Sequence, residues 1–180
     1  MEGLPSEEQI KAWIRDAVVE AQTASSDRTY YLEIWKKTVD VQQHFNDLEL
    51  RIRNLAVTVL GAILSLAAFS VEKTITIKLY ERSVPVAVLL IIVALITWGA
   101  FYLMDRHWYH RLLIGAVKHG LEIEKLLPGA SLTKAIGDES PIRIGGRQIR
   151  STNKMDLFYS LVGAALIVLI PVLLFGKSLK

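Results

Sequence analysis

The side chains with the clearest chemical potential lie late in the chain. Arg143, Arg147 and Arg150 surround Gly145 and Gly146 in the stretch PIRIGGRQIR. A guanidinium binds phosphate oxygens through paired N–H bonds, and glycine lets a backbone approach an anion closely. The cluster reads in two ways. It is a site for lipid head groups or another phosphate, or it is the plain positive charge that precedes a membrane span. A second constellation is Asp105, His107 and His110. Imidazoles three residues apart can share a helix face, as a metal pair needs. Among so many aromatic neighbours they read instead as surface or structural histidines, and no metal is expected. His44 stands alone and reads as structural. No catalytic set emerges. Serines are scattered, cysteine is absent, and no P-loop or dinucleotide fingerprint is present. The expectation is a chain that is not an enzyme and needs no cofactor.

The elements that carry these residues are set by hydropathy. The 180 residues are 52% hydrophobic yet 22% charged, with a mean hydropathy of +0.34. Apolar and polar residues must therefore be segregated into blocks. A disordered chain is too poor in apolar residues to match. A disulfide scaffold and a thiolate zinc site both need cysteine. Three runs lack any charge: Leu55–Val71, Val84–Met104 and Leu157–Phe175. A helix needs roughly 20 apolar residues to cross a bilayer. The expected fold is all-α: an integral membrane protein with three transmembrane helices, a long cytoplasmic helical hairpin and a small β-ribbon. Spans are expected at 54–71, 84–104 and 157–175. Amphipathic helices fill 1–53, an outer loop 72–83, and a helix continuing the second span 105–128. A loop with a possible hairpin covers 129–156, and an outer tail 176–180.

Orientation follows from basic residues. The first 50 residues are polar and show no secretory signal. Residues 1–53 and 105–156 hold sixteen of the 21 Lys and Arg. Both segments are placed in the cytoplasm of a bacterial inner-membrane protein, with the C-terminus outside. Trp98, Tyr102, Trp108, Tyr109 and Tyr159 sit near the inner ends of spans two and three and read as interfacial aromatics. The pI of 9.1 then reflects topology, and no nucleic acid is expected as a partner.

Periodicity organises the polar parts. Ser6 with Gln9 suggests a capping box. Ile10, Trp13, Ile14, Ala17, Val18 and Ala21 follow at helical spacing. The polar stretch Thr23–Asp27 predicts a bend or break. A second stripe runs Tyr31, Ile34, Trp35, Thr38, Val41, Phe45, Leu48 and Ile52 into span one. Beyond span two, Leu112, Ala116, His119, Ile123 and Leu126 form a matching stripe, ended by Pro128-Gly129. A short outer turn makes the two rods antiparallel, so the stripes can pair. Charge agrees weakly: residues 1–53 carry ten acids and seven bases, residues 105–156 six and nine. Ile142, Ile144 and Ile149 around Gly145-Gly146 predict a tight hairpin. Gly61 with Ser65, and Ser160 with Ala164, have small-xxx-small spacing, which suits contacts within one chain or between chains. No span holds a carboxylate or lysine, which argues against a coupled transporter.

The layout resembles the SLATT-type membrane proteins of prokaryotic defence and signalling loci. The residues that carry the likeness are LRIRNLAVTVLGAILSLAAF (50–69) and FYLMDRHWYHRLLIGAVKHGLEIEKLL (101–127). It covers roughly residues 28–127, and the third span departs from the two-span pattern. The resemblance implies a membrane effector that oligomerises and perturbs the membrane when a partner or nucleotide signal activates it. Expected partners are the lipid bilayer, further copies of the chain, and a soluble cytoplasmic protein or nucleotide signal. The expected function is a self-associating effector of antiphage defence or stress signalling that permeabilises the inner membrane. The alternative is a structural or adaptor subunit that anchors a soluble partner.

Overall fold

The computed structural model describes residues 7–144, 147–149 and 151–175. Ser6 and Arg150 lie outside that set. The chain opens on one helix, α1 (Glu7–Glu72). At a rise of 1.5 Å per residue it is about 100 Å long. The expected bend at Thr23–Asp27 does not occur. Thr23 Oγ1 donates to the Val19 carbonyl (2.9 Å) and Thr29 Oγ1 to the Ser25 carbonyl (3.0 Å). These hydroxyls bond back along their own helix, and Ala21 and Ala24 are strong helix formers. Local polarity therefore does not break the rod.

The connection from α1 to the next long helix is more ordered than a simple turn. Strands β1 (Thr76–Leu79) and β2 (Arg82–Pro85) pair antiparallel, with Thr76 opposite Pro85 and Leu79 opposite Arg82. Tyr80 takes a left-handed φ of 54° at the tip. Without an Asn-Gly or Asp-Gly signal, the sequence does not announce this hairpin. Pro85 then precedes α2 (Val86–Met104), where its missing N–H costs no helical hydrogen bond.

Helix α2 passes into a π turn at Asp105–Tyr109 and continues as α3 (His110–Leu126). Gly129, at φ 92°, ends the run after Pro128. Helix α4 (Leu132–Glu139) follows, then the ribbon β3 (Ile142–Ile144) and β4 (Arg147–Ile149), then α5 (Ser151–Phe175). The β3–β4 pairing matches the expected hairpin, with Ile142 opposite Ile149 and Ile144 opposite Arg147. The fold is thus all-α with two small ribbons. Three of its helices are long and apolar enough to cross a membrane.

Helix α2 lies between α1 and α5. Ala56 and Ala67 of α1 pack with Ala87, Ile91, Ala94 and Trp98 of α2, and Met155, Tyr159 and Leu166 of α5 complete this core. Alanines let the backbones approach, so dispersion contacts hold the bundle. The small residues singled out in the sequence do not serve this packing. Gly61, Ser65, Ser160 and Ala164 are all exposed, and Ser65 Oγ bonds only the Gly61 carbonyl at 2.8 Å. The within-chain reading of those pairs is corrected, because the interface is carried by alanines on the opposite face. Trp98 and Tyr159 likewise are not an interfacial belt. They are buried between helices, whereas Trp108 is 66% exposed.

The polar halves of α1 and α3 pair side by side, as a hairpin should. Their contact stripe differs from the expected one. Of the expected members, Ile123 is buried and Ala116 half-buried, but Leu112, His119 and Leu126 are exposed; His110, Gly120 and Leu127 are buried and Leu113 and Val117 half-buried in their place. The π turn is the cause. Uninterrupted α-helical steps from buried Asp105 would lead to Leu112, Ala116 and His119. The His110 N–H instead bonds the Asp105 carbonyl, five residues back, and one extra residue moves the stripe onto Leu113, Val117 and Gly120.

Gly120 marks the closest approach. A Cβ there would meet the Gln42 amide and would lie 2.9 Å from Thr133 Oγ1. Gly115 has open space around it. Gly120→Ala is therefore expected to lower the unfolding free energy by about 1–3 kcal/mol through overpacking. Gly115→Ala should stabilise by roughly 0.5–1 kcal/mol through helix propensity. Thermal unfolding of the two variants in detergent checks the difference in sign.

Candidate functional site

The chemistry of the fold concentrates where the apolar bundle gives way to the polar rods. Asp105, fully buried, heads the π turn one residue past the charge-free run. Its carboxylate takes a two-pronged guanidinium from Arg53 of α1, with Nε to Oδ2 at 2.7 Å and Nη2 to Oδ1 at 3.2 Å. The Tyr159 hydroxyl of α5 donates to the same Oδ2 at 3.1 Å. Arg53 Nη2 also donates to Glu49 Oε2 at 2.8 Å. Glu49, one helical turn earlier, is buried as well. Its other oxygen lies 3.1 Å from His110 Nδ1. A carboxylate only accepts, so Nδ1 is the donor. His110 Nε2 sits 3.1 Å from Thr152 Oγ1, at the start of α5.

One cluster therefore ties all three apolar helices together at one level. Two carboxylates share one guanidinium, and the histidine N–H donates to one of them. Burial alone would make the Arg53 guanidinium easier to deprotonate, but its bond to Asp105 and the charges of Asp105 and Glu49 push its pKa up. Outside this cluster, Asp156 accepts from Tyr102 Oη (3.1 Å) and Arg106 Nε (3.2 Å). The Trp98 indole donates to the Tyr159 carbonyl at 2.9 Å. The Trp98, Tyr102 and Tyr159 rings pack together, with Tyr159 4.9 Å from Trp98 and 5.2 Å from Tyr102. These contacts seat Tyr159 against Asp105.

The π turn makes the cluster possible. In an α-helix, residues 105 and 110 would sit about 140° apart around the axis. The wider turn lets Asp105 and His110 both face α1. His107, the other half of the conceivable metal pair, is exposed and lies edge-on to Tyr102. Among the described residues, no group of three or more His, Cys, Asp or Glu could hold a metal ion.

Below the cluster lies a cavity of about 600 Å³ between α1, α3, α4 and the start of α5. Its walls include Gln42, Asn46, Val117, Ile136, His110 and Thr152. His110 and Thr152 belong to both the cavity and the ionic cluster. Glu124 of α3 anchors the start of α4. Its carboxylate accepts from the Thr133 N–H (2.6 Å), the Lys134 N–H (3.1 Å) and the Trp35 indole (3.3 Å). It thereby caps α4, a role that Ser131 does not take with its side chain. Burial works to raise the Glu124 pKa, but the bonds from Thr133, Lys134 and Trp35 outweigh it and hold the pKa below the usual value.

Of the sequence's arginine cluster, Arg150 lies outside the described residues, and Arg143 and Arg147 are placed by their strand register alone. Arg143 pairs with Gln148 and Arg147 with Ile144 across the ribbon. Positions 143 and 147 thus fall in opposite phases of the pleat. The residues that do come together, Glu49, Arg53, Asp105, His110 and Tyr159, went unassigned as a set. The signal available was a carboxylate and an arginine directly beside two apolar runs. No protein family, curated protein or solved structure matches the chain.

Two outcomes test this geometry. Arg53→Met should lower the unfolding free energy by about 3–5 kcal/mol, because it strands the buried Asp105 charge. Adding Asp105→Leu should recover most of that loss, and unfolding titrations of the double-mutant cycle measure the coupling. For Glu124 the folded pKa lies below the unfolded one. Its contribution is complete above the unfolded value of about 4.3 and is lost as pH falls through the lower folded value. Glu124→Gln should flatten that acid limb in a pH series of melting temperatures.

Proposed function

We propose that this chain is a non-enzymatic membrane effector of a bacterial inner membrane. Its three apolar helices span the bilayer, with the N-terminus in the cytoplasm and the C-terminus outside. It self-associates and perturbs the membrane in antiphage defence or stress signalling. The observation that carries this reading is the buried ionic cluster built on a π turn. Buried ion pairs contribute little net stability, and their best-attested use is to fix register or to hold a switch. Irregular π turns are frequent at functional sites. This cluster sets the register of all three spans at the inner face, so breaking it frees them to repack. The cavity supplies a route for the trigger. A signal molecule or a partner segment seated there touches His110 and Thr152, and through them Glu49 and Arg53. The layout shared with SLATT-type effectors supports the same reading.

A second reading, an adaptor that anchors a soluble partner, is favoured by the uncovered cytoplasmic end of α1. A stoichiometric soluble partner together with an unchanged membrane potential would select it.

The test is a membrane-potential dye in cells expressing the chain. Arg53→Met and Asp105→Asn are expected to depolarise the membrane without a trigger. Wild-type chain should do so only on phage challenge or partner co-expression. If the variants reach the membrane at wild-type levels and leave the potential at the empty-vector value, the effector reading is wrong.

A further inference from the structure

We propose that the N-terminal part of α1, residues 10–28, pairs in parallel with the same segment of a second copy. The proposal rests on the self-association and topology of the preceding section and names the surface responsible. Residues of α1 at alternating steps of four and three form one stripe: Ile10, Ile14, Ala17, Ala21, Ala24, Arg28, then Tyr31, Trp35, Thr38, Gln42, Phe45, Glu49, Ile52 and Ala56. This is the seven-residue repeat of a helix seam. From Tyr31 onward every member is buried or half-buried. Trp35 bonds Glu124, Gln42 bonds the Ala116 carbonyl, and Glu49 bonds His110. That half of the seam is an interface with α3 and its neighbours.

Helix α3 ends at Leu126, near the level of Trp35. The seam continues past the end of its partner without changing period or face. Of residues 7–30, only Ala12 is not exposed. Ile10 is 43% exposed, Ile14 60% and Trp13 66%. A stripe that is covered over one half of a rod and, from Ile10 to Ala24, apolar but open over the other is an interface awaiting a helix.

The flanks say which helix. In a parallel pair, the residue just before one seam position reaches the residue five further along the other helix. Trp13 then meets Val18 of the second copy, two apolar side chains that no described residue covers. Glu20 meets Ser25, so these flanks set no like charges against each other. Arg15 and Asp16 lie on the outer side. Three alanines in succession allow a close approach of the two backbones. Copies anchored in one membrane present their rods in the same direction, which makes the pair parallel and self-matching. The segment is only about 27 Å long, too short for a strong isolated seam. Membrane anchoring raises its effective concentration and offsets that weakness.

The absence of cysteine makes disulfide trapping clean. Ile10→Cys, Ala17→Cys and Ala24→Cys would be oxidised separately in native membranes and compared with Val19→Cys and Ser26→Cys on the outer side. All three seam positions are expected to give disulfide dimers about tenfold faster than the outer ones, a margin equivalent to ~1.4 kcal/mol. Ile14→Glu added to Ala17→Cys should remove that advantage, while the melting temperature of the bundle stays put. Equal trapping at seam and outer positions overturns the proposal. So does a preference for joining position 10 to position 24, which reports an antiparallel pair. So do adducts of the seam cysteines with a different protein in place of dimers. Trapping does not read membrane potential. Depolarisation without seam dimers therefore removes this interface alone, and seam dimers without depolarisation remove only the effector reading.

Discussion

A carboxylate taken wholly out of water must be paired, and most of this structure follows from satisfying Asp105. The idealised cost of burying such a charge is of order 20 kcal/mol, and only partners with good geometry offset it. Arg53 comes from α1 and Tyr159 from α5, and each can reach Asp105 only if its helix holds one register against α2. Glu49 accepts from Nη2 of the same guanidinium and in turn orients His110. Alanine-rich packing lets the three helices come close, but such faces are smooth and permit sliding. The directional polar bonds select one arrangement among several of similar packing energy.

The π turn at Asp105–Tyr109 is the backbone counterpart of that requirement. One extra residue brings His110 round to Glu49 and moves the upper part of the α3 contact stripe onto Leu113, Val117 and Gly120. The benefit extends down the rod. Gly120 arrives where α1 and α4 crowd together, and Glu124 arrives where it can cap α4 and hold Trp35. The cavity is the space left between the shifted α3, α1 and α4. Cluster, cavity and rod are thus linked by shared side chains, chiefly His110 and Thr152. A long helix that is covered at one end and bare at the other completes the picture of an apolar three-helix bundle with an arm that reaches beyond its own partners.

Much of the fold was legible from local pattern. The three charge-free runs, the antiparallel rods, the Pro128-Gly129 stop and the β3–β4 ribbon all appear where hydropathy and turn chemistry place them. The stripe Tyr31, Ile34, Trp35, Thr38 is likewise the covered face of α1. Other features were not legible. Thr23–Asp27 resembled a break because its residues favour turns, yet the hydroxyls of Thr23 and Thr29 turn back onto carbonyls of an unbroken helix and do not draw the backbone into a turn. The arginines of the ribbon looked like one cluster because they are close in sequence, and strand pleating separates Arg143 from Arg147.

What the sequence by itself determined is where apolar and polar blocks fall, and hence the number and direction of the apolar helices. Those are sums over neighbouring residues, and period and hydropathy report them directly. Which face of each helix turns inward, and which small residues touch, was decided only by the tertiary structure. Arg53 and Asp105 are 52 residues apart in the chain, and nothing in either neighbourhood encodes their meeting. A single residue inserted by a π turn rotates everything beyond it, and whether that turn forms depends on the partners it gains on α1 and α5.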